Sequence, residues 1–213
     1  MKTNKGLINF AASKIGTPYV YGMKGAVMTR SKYNWLKKTY GTDMVWDSDV
    51  KKVGKVCVDC SGLISWYTGK IKSSSMFKSE AKALHPISTI AEAPIGAAVW
   101  RSGHIGIYVG KGYAIEARGS AYGVVKTKIS KRDWTHWFLL NDITYEAATV
   151  YFKKYTGTSG SIVDALASIG AEKSFAYRKK IAQANGIISG YTGTAAQNTF
   201  LLAKLKNGTL IKP

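Results

Sequence analysis

The sequence predicts an α+β fold for roughly the first 150 residues and a small three-helix domain after them. In the N-terminal part, apolar residues recur at helical spacing. From residue 97 to residue 140, short apolar runs alternate with polar residues and are broken by glycine turns. After residue 160, three segments again show helical spacing behind capping residues. We therefore expect N-terminal helices packed on an antiparallel sheet, followed by a separate helical module.

Three helices are expected before the sheet. The first covers residues 6–14 and ends at Gly16-Thr17-Pro18, because glycine and proline stop helices. The second covers residues 29–40. The third begins at Cys60 and continues into the apolar run 63–67. A cysteine at this position lies at the N-terminus of its helix.

Five short strands are expected after the helices. They are residues 97–100, 103–109, 113–116, 124–128 and 137–140. The turn at residues 110–112 makes the second and third of them antiparallel neighbours. Adjacent antiparallel strands can bring His104 and Glu116 side by side.

A change of composition near residue 150 indicates a second domain. We expect a first domain at residues 1–148, a linker at 149–160 and a three-helix domain at 161–213. The expected N-caps are Ser161, Ser174 and Thr194, and the expected stops are Gly170, Gly186 and Gly208.

The chain is strongly basic, with 31 Lys and Arg residues against 12 Asp and Glu residues and a net charge of +19. Such a charge predicts an anionic partner, either nucleic acid or a phosphate-rich cell wall. The basic residues are scattered without an arginine-rich tract or a nucleic-acid-binding motif, so no nucleic acid is expected. No apolar run is long enough for a membrane span, and the N-terminus does not read as a signal peptide.

The two cysteines, Cys57 and Cys60, have the spacing C-x-x-C. This spacing permits a redox pair or half of a zinc site. The three histidines are far apart, and the βαβ context of redox motifs is missing. We favour Cys60 as a nucleophile with Cys57 as a bystander, and the redox and purely structural alternatives stay open.

The segment Asp59-Cys60-Ser61-Gly62-Leu63 offers a thiol at a helix N-terminus, where the helix dipole favours thiolate. His104 begins an alternating strand and can act as a base, with Gly103 and Gly106 leaving room around it. Glu116 can orient the imidazole. Each residue has a structural alternative: a buried small side chain, a sheet residue and a surface carboxylate. Arg118, two residues after Glu116, is expected to bind a substrate carboxylate or to pair with Glu116, and a solvated role is the equal alternative.

Four segments in this order resemble the NlpC/P60 cell-wall cysteine peptidases over roughly residues 6–142. The segments are Gly16-Thr17-Pro18-Tyr19-Val20-Tyr21-Gly22, Asp59-Cys60-Ser61-Gly62-Leu63, His104-Ile105-Gly106-Ile107-Tyr108-Val109-Gly110 and Glu116. The resemblance implies a papain-like fold, with Cys60 as nucleophile, His104 as base and Glu116 as third catalytic residue. It also implies that Tyr19, Asp59 and Ser61 recognise the amino end of a peptide or nearby D-residues, and that no metal or cofactor is needed.

Two features depart from the family pattern. The usual Gly-Asp before the histidine strand is Gly96-Ala97, and the stretch from Met23 to Val58 is longer than usual. The longer stretch is expected to reshape the substrate groove. The resemblance implies peptidoglycan hydrolysis, with an endopeptidase at a D-glutamyl bond expected. An N-acetylmuramoyl-L-alanine amidase and a non-catalytic wall-binding protein are the alternatives.

The basic C-terminal module resembles those of lysins from clostridia and their phages. This resemblance implies binding to peptidoglycan and anionic wall polymers, without a membrane partner. It further implies an endolysin made in the host cytoplasm without a signal peptide and released by a holin.

Overall fold

The computed structural model describes residues 2–146, 150–188 and 190–213, which form two compact units divided after residue 146. The predicted domain boundary at residues 148 and 149 lies outside the described residues. Among the described residues, no helix combines the length and the apolar character that a bilayer span requires.

The first unit contains four helices and eight strands within the described residues. The helices are α1 (Asn4–Ser13), α2 (Arg30–Tyr40), α3 (Cys60–Thr68) and α4 (Ser74–Ser79). The strands are β1 (Lys24–Val27), β2 (Val56–Val58), β3 (His85–Pro86), β4 (Ala98–Arg101), β5 (His104–Gly110), β6 (Tyr113–Gly119), β7 (Gly123–Lys128) and β8 (His136–Phe138). The three predicted helices and five predicted strands are present with shifted ends, whereas β1, β2, β3 and α4 were not predicted.

Six strands form an antiparallel sheet in the order β3-β8-β4-β5-β6-β7. One face packs against α1 and α3 through a core that includes Leu7, Leu63, Ile105 and Phe138. Each such buried side chain contributes about 1.5–3 kcal/mol to folding. The predicted α+β class, with N-terminal helices on an antiparallel sheet, is confirmed.

The long stretch between Met23 and Val58 forms a substructure with its own core. Strands β1 and β2 pair antiparallel, and between them lie α2 and a 3-10 segment, Asp47–Lys52. Its buried residues include Met28, Leu36 and Cys57. This stretch, the insertion, is therefore a folded element with its own buried core.

The second unit contains α5 (Ile162–Ser168), α6 (Phe175–Ala184) and α7 (Ala195–Asn207). The predicted N-caps Ser161, Ser174 and Thr194 each accept a backbone N–H of their helix. At Thr194 the capping box is complete, since the Gln197 side chain accepts the Thr194 N–H. At Ser161 only half of such a box is formed, because the Asp164 carboxylate accepts the Ser159 hydroxyl instead.

The predicted linker at 149–160 is wrong where the structure describes it. Phe152 and Tyr155 are buried in the core of the second unit, and Tyr151 forms a bridge with Ile211. The two glycines and the serine of this stretch predict a linker, but it also holds three aromatic residues, Tyr151, Phe152 and Tyr155. From residue 150 onwards, the segment belongs to the second unit.

Candidate active site

Local chain geometry places Cys60 as the first residue of α3. Asp59 is the N-cap, and its Oδ1 accepts the Gly62 N–H at 2.6 Å. A side chain at position 62 would clash with the Met23 carbonyl oxygen, so glycine is needed there. The Asp-Cys-Ser-Gly motif is therefore a capping arrangement that fixes the thiol at the helix start.

Strands β5 and β6 bring His104 and Glu116 together. Ile107 pairs with Ile115 in the register of the two strands. His104 Nε2 and Glu116 Oε2 are 2.6 Å apart, and both side chains are buried. The contact that the antiparallel strands predicted is present.

Glu116 is held by two further side chains that the sequence analysis missed. Arg132 donates from Nε to Oε1 at 2.9 Å and from Nη2 to Oε2 at 3.0 Å, and Thr127 donates to Oε1 at 2.7 Å. Burial alone would raise the pKa of Glu116. The hydrogen bonds from His104, Arg132 and Thr127 outweigh burial and lower the pKa from 4.5 to about 2. Glu116 is thus a fixed negative charge beside the imidazole.

The Trp134 ring lies over the His104 ring, with 5.4 Å between centroids and 18° between planes. A Cβ at Gly106 would lie 3.1 Å from Trp134 and 3.3 Å from the Glu116 Cβ. The expectation that Gly106 leaves open space around His104 is therefore wrong. Instead, Gly106 allows Trp134 and Glu116 to enclose the imidazole.

Cys60 lies beside the start of the histidine strand. Its Sγ is 4.0 Å from the carbonyl oxygen of Gly103, the residue before His104. Because Nε2 of His104 faces Glu116, Nδ1 is the ring nitrogen that does not contact the carboxylate.

Burial raises the pKa of Cys60 to about 12, and the charge of Asp59 adds to this effect. Backbone N–H groups of Ile105 and Ser61 and the charge of Lys24 oppose it without reversing it. Burial therefore works against the thiolate that the helix N-terminus was expected to favour.

A groove of about 690 Å³ exposes the site. Cys60 and Gly103 line it on one side. The insertion supplies much of the remaining lining, including Lys24, Trp35 and Tyr40. The structure thus places the insertion where it shapes the groove, as the sequence analysis expected.

Tyr19 is buried in the same core as Cys60. Burial raises the pKa of its hydroxyl, and the charges of Cys60 and Asp59 raise it further, which places the phenol close to both. Lys52 Nζ donates to the Tyr19 carbonyl at 2.7 Å and to Asp49 at 2.6 Å. The insertion therefore holds the backbone of Tyr19.

Asp59 and Ser61, the other predicted substrate-binding residues, are already bound to Lys24. The ammonium contacts both Asp59 carboxylate oxygens at 2.8 Å and the Ser61 hydroxyl at 2.7 Å. Lys24 was not identified from the sequence. The length of the Met23–Val58 stretch was the only signal that pointed to it.

Arg118 does not pair with Glu116, and its binding of a substrate carboxylate stays a prediction. Its guanidinium lies over the Tyr122 ring, 4.0 Å from the centroid. Arg132 forms the ion pair with Glu116 that was considered for Arg118.

Cys57 packs in the core of the insertion, and its thiol donates to the Lys55 carbonyl at 3.5 Å. Burial raises the pKa of this thiol as well. Both cysteines are free thiols. Cys60 alone of the two lines the groove.

The chain resembles several solved structures. No family model and no curated protein matches the chain. Among solved structures, the peptidoglycan hydrolase RipB from Mycobacterium tuberculosis is 26% identical with a TM-score of 0.45, over 67% of this chain and 65% of RipB. The P60 domain of an M. avium subspecies paratuberculosis antigen is 24% identical with a TM-score of 0.44, over 67% of this chain and 96% of that domain. The chain is similar to NlpC/P60 proteins.

The NlpC/P60 resemblance carried by the four motifs is thus also found among solved structures. RipD from M. tuberculosis, described as a non-catalytic NlpC/p60 domain protein adapted to peptidoglycan binding, is 21% identical with a TM-score of 0.44, over 65% of this chain and 97% of RipD.

Proposed function

We propose that this chain is a peptidoglycan hydrolase that cleaves an amide bond of the stem peptide with Cys60 as nucleophile. One observation carries the proposal. A thiol at a helix N-terminus lines a groove and lies 4.0 Å from the carbonyl oxygen of the residue before His104, whose Nε2 is held by a buried carboxylate at 2.6 Å. These groups supply the nucleophile, the base and the orienting carboxylate that acyl transfer requires.

In the proposed mechanism, His104 Nδ1 takes the Cys60 proton as sulfur attacks the amide carbon. The oxyanion that forms accepts hydrogen bonds from backbone N–H groups at the start of α3. The imidazolium, stabilised by Glu116, then protonates the leaving amine as the C–N bond breaks. Water, deprotonated by His104, hydrolyses the thioester and regenerates the thiol.

General-base activation fits the raised pKa of Cys60. A thiol with a pKa of about 12 is almost entirely protonated at neutral pH. The fixed charge of Glu116 makes proton transfer to His104 more favourable at the moment of attack. Thiolate is therefore formed during the reaction, when substrate is present.

For the bond that is cleaved, we propose a peptide bond involving D-glutamate, with the muramoyl-L-alanine amide as the alternative. The motifs and the groove are compatible with both. Mass spectrometry of the muropeptides released from purified walls separates the two. A new amino terminus within the stem peptide supports the endopeptidase, and a free L-alanine amino terminus supports the amidase.

For the second unit, we propose a wall-binding role. It carries nine Lys and Arg residues after residue 150 against Asp164 and Glu172. Positive charge of this density attracts teichoic acids and other anionic wall polymers. With it we propose the endolysin setting: synthesis in a host cytoplasm, release by a holin and action on the wall.

The hydrolase proposal is tested by the turbidity of purified cell walls. Loss of turbidity with the native protein, abolished in Cys60→Ala, is expected. Walls that stay intact with the native protein while binding it would overturn the proposal in favour of a non-catalytic binder.

A further inference from the structure

An ammonium group of the chain itself lies beside the nucleophile. Lys24 is the first residue of β1, and its register partner is Val58, which directly precedes Asp59. Its side chain is 23% exposed and lines the same groove as Cys60. A substrate in this groove therefore meets Lys24 next to the thiol.

The contacts of Lys24 use all of its hydrogen-bonding capacity. An ammonium has three N–H donors. Those of Lys24 have three oxygen partners within 2.8 Å, namely both carboxylate oxygens of Asp59 and the hydroxyl of Ser61. No donor is left over for a substrate.

Asp59 is equally occupied. Besides Lys24, its carboxylate accepts the Gly22 N–H at 3.0 Å, the Gly62 N–H at 2.6 Å and the Ser61 hydroxyl at 3.2 Å. A carboxylate has about four lone-pair sites. The position expected to receive the amino end of a peptide is filled from within the chain.

We propose that Lys24 is a specificity-determining residue that makes the enzyme select stem peptides whose amino end is acylated. The inference rests on the proposed function. A free ammonium brought to Asp59 and Ser61 would meet the like charge of Lys24 and no available acceptor. An acylated nitrogen carries no charge, so it avoids this repulsion.

Selection for an acylated amino end identifies a class of substrate. In an intact wall, the lactyl group of muramic acid acylates the first alanine of the stem peptide. The substrate is then the stem peptide still attached to glycan, and released peptides with a free amino end are poor substrates.

The test uses one synthetic stem peptide in two forms, with a free amino end and with an N-acetyl group. Binding of both to full-length Cys60→Ala is measured by calorimetry. We expect the acetylated form to bind at least about tenfold more tightly. Replacing Lys24 by Met in this background is expected to abolish or reverse the preference.

Lys32→Met is the matched control, because Lys32 lines the same groove but places its ammonium over the Trp35 ring. It removes the same charge and should leave the preference unchanged. Equal or tighter binding of the free amine by the parent protein would overturn the role of Lys24. So would a preference that Lys24→Met does not change, or binding of neither peptide at millimolar concentration.

Lys24→Met leaves the buried Asp59 carboxylate without its cation, which can prevent folding. The double variant Lys24→Met/Asp59→Asn removes both charges and keeps a side-chain oxygen to cap α3. Its preference should fall to about one.

Hydrolysis of the same peptides by the native protein separates this inference from the proposed function. Retained preference in binding without any hydrolysis would reject the hydrolase and support Lys24 as the selector. Equal hydrolysis of both forms, with equal binding, would support the hydrolase and reject the selector.

Discussion

Arg132 and Glu116 form a two-point ion pair behind the imidazole, with Nε to Oε1 at 2.9 Å and Nη2 to Oε2 at 3.0 Å. The carboxylate is fully buried and also binds His104 at 2.6 Å. Arg132 lies in the segment after β7, so a residue outside the predicted catalytic set holds the carboxylate that contacts His104.

Replacing Arg132 by Leu should lower the free energy of unfolding by about 3 kcal/mol, because it leaves a buried carboxylate without its cation. Urea denaturation at pH 7 measures this loss. Arg118→Leu is the control, since Arg118 contacts the Tyr122 ring and not Glu116. It should change stability by less than about 1 kcal/mol. Equal losses of unfolding free energy in the two variants would show that the ion pair of Arg132 with Glu116 makes no contribution of its own to stability.

Stability should depend on pH through Glu116. Its pKa is lowered from 4.5 to about 2 in the folded protein. The stabilisation is therefore complete above pH 4.5 and is lost as the pH falls towards 2, amounting to about 3 kcal/mol. In Glu116→Gln the unfolding free energy should fall less steeply over this range. If the unfolding free energies of the native protein and of Glu116→Gln change with pH in parallel, the pKa of Glu116 is not lowered by folding.

Cys60→Ser should lower wall hydrolysis by at least about a thousandfold, because a serine hydroxyl is a far weaker nucleophile in this site. Cys57→Ser should keep hydrolysis within a few-fold and lower the melting temperature, since a hydroxyl enters an apolar core. Turbidity assays and thermal unfolding measure the two effects. If the Cys57→Ser variant folds but is inactive, the assignment of Cys60 as the nucleophile is wrong.

Alkylation of Cys60 should report its resting protonation state. In the Cys57→Ser variant, a pKa of about 12 predicts an iodoacetamide rate that rises about tenfold per pH unit from pH 7 to 9. The modified protein is counted by mass spectrometry. A rate that is already constant at pH 7 would show a preformed thiolate and refute the general-base step.

Wall binding should depend on salt through the second unit. Full-length Cys60→Ala should pellet with cell walls at low ionic strength and be released as salt rises, because exposed charges are screened. Substituting Gln at three exposed lysines of this unit, Lys153, Lys179 and Lys180, should lower the salt concentration needed for release.

The matched control places Gln at three exposed lysines of the first unit, Lys38, Lys51 and Lys128. These changes should leave release almost unaltered. If they weaken wall binding as much as the first set, binding follows the net charge of the whole chain, and the second unit has no special role.

Local patterns were sufficient to predict the main elements of the site. Asp59 and Gly62 are capping signals, so the start of α3 at Cys60 could be found from spacing alone. His104 and Glu116 lie on strands joined by a tight glycine turn, and this connection sets their register. Both predictions depend on residues close in sequence.

Long-range contacts could not be predicted in this way. Lys24 and Arg132 reach the site from a short strand and a loop, where no periodicity marks the direction of a side chain. The pKa of Cys60 depends on burial by segments distant in sequence, which the helix N-terminus alone does not reveal. The same is true of Phe152, whose burial makes the predicted linker part of a core.

The bond from Lys52 to the Tyr19 carbonyl limits how this protein can be re-engineered. Lys52 also donates to the Ser120 carbonyl at 2.9 Å, so one ammonium joins the insertion, the Tyr19 backbone and the turn between β6 and β7. An insertion from another protein, grafted without an equivalent lysine, would leave these carbonyls without a donor. Chimaeras that alter cleavage specificity should therefore exchange the insertion together with Tyr19 and residues 119–123.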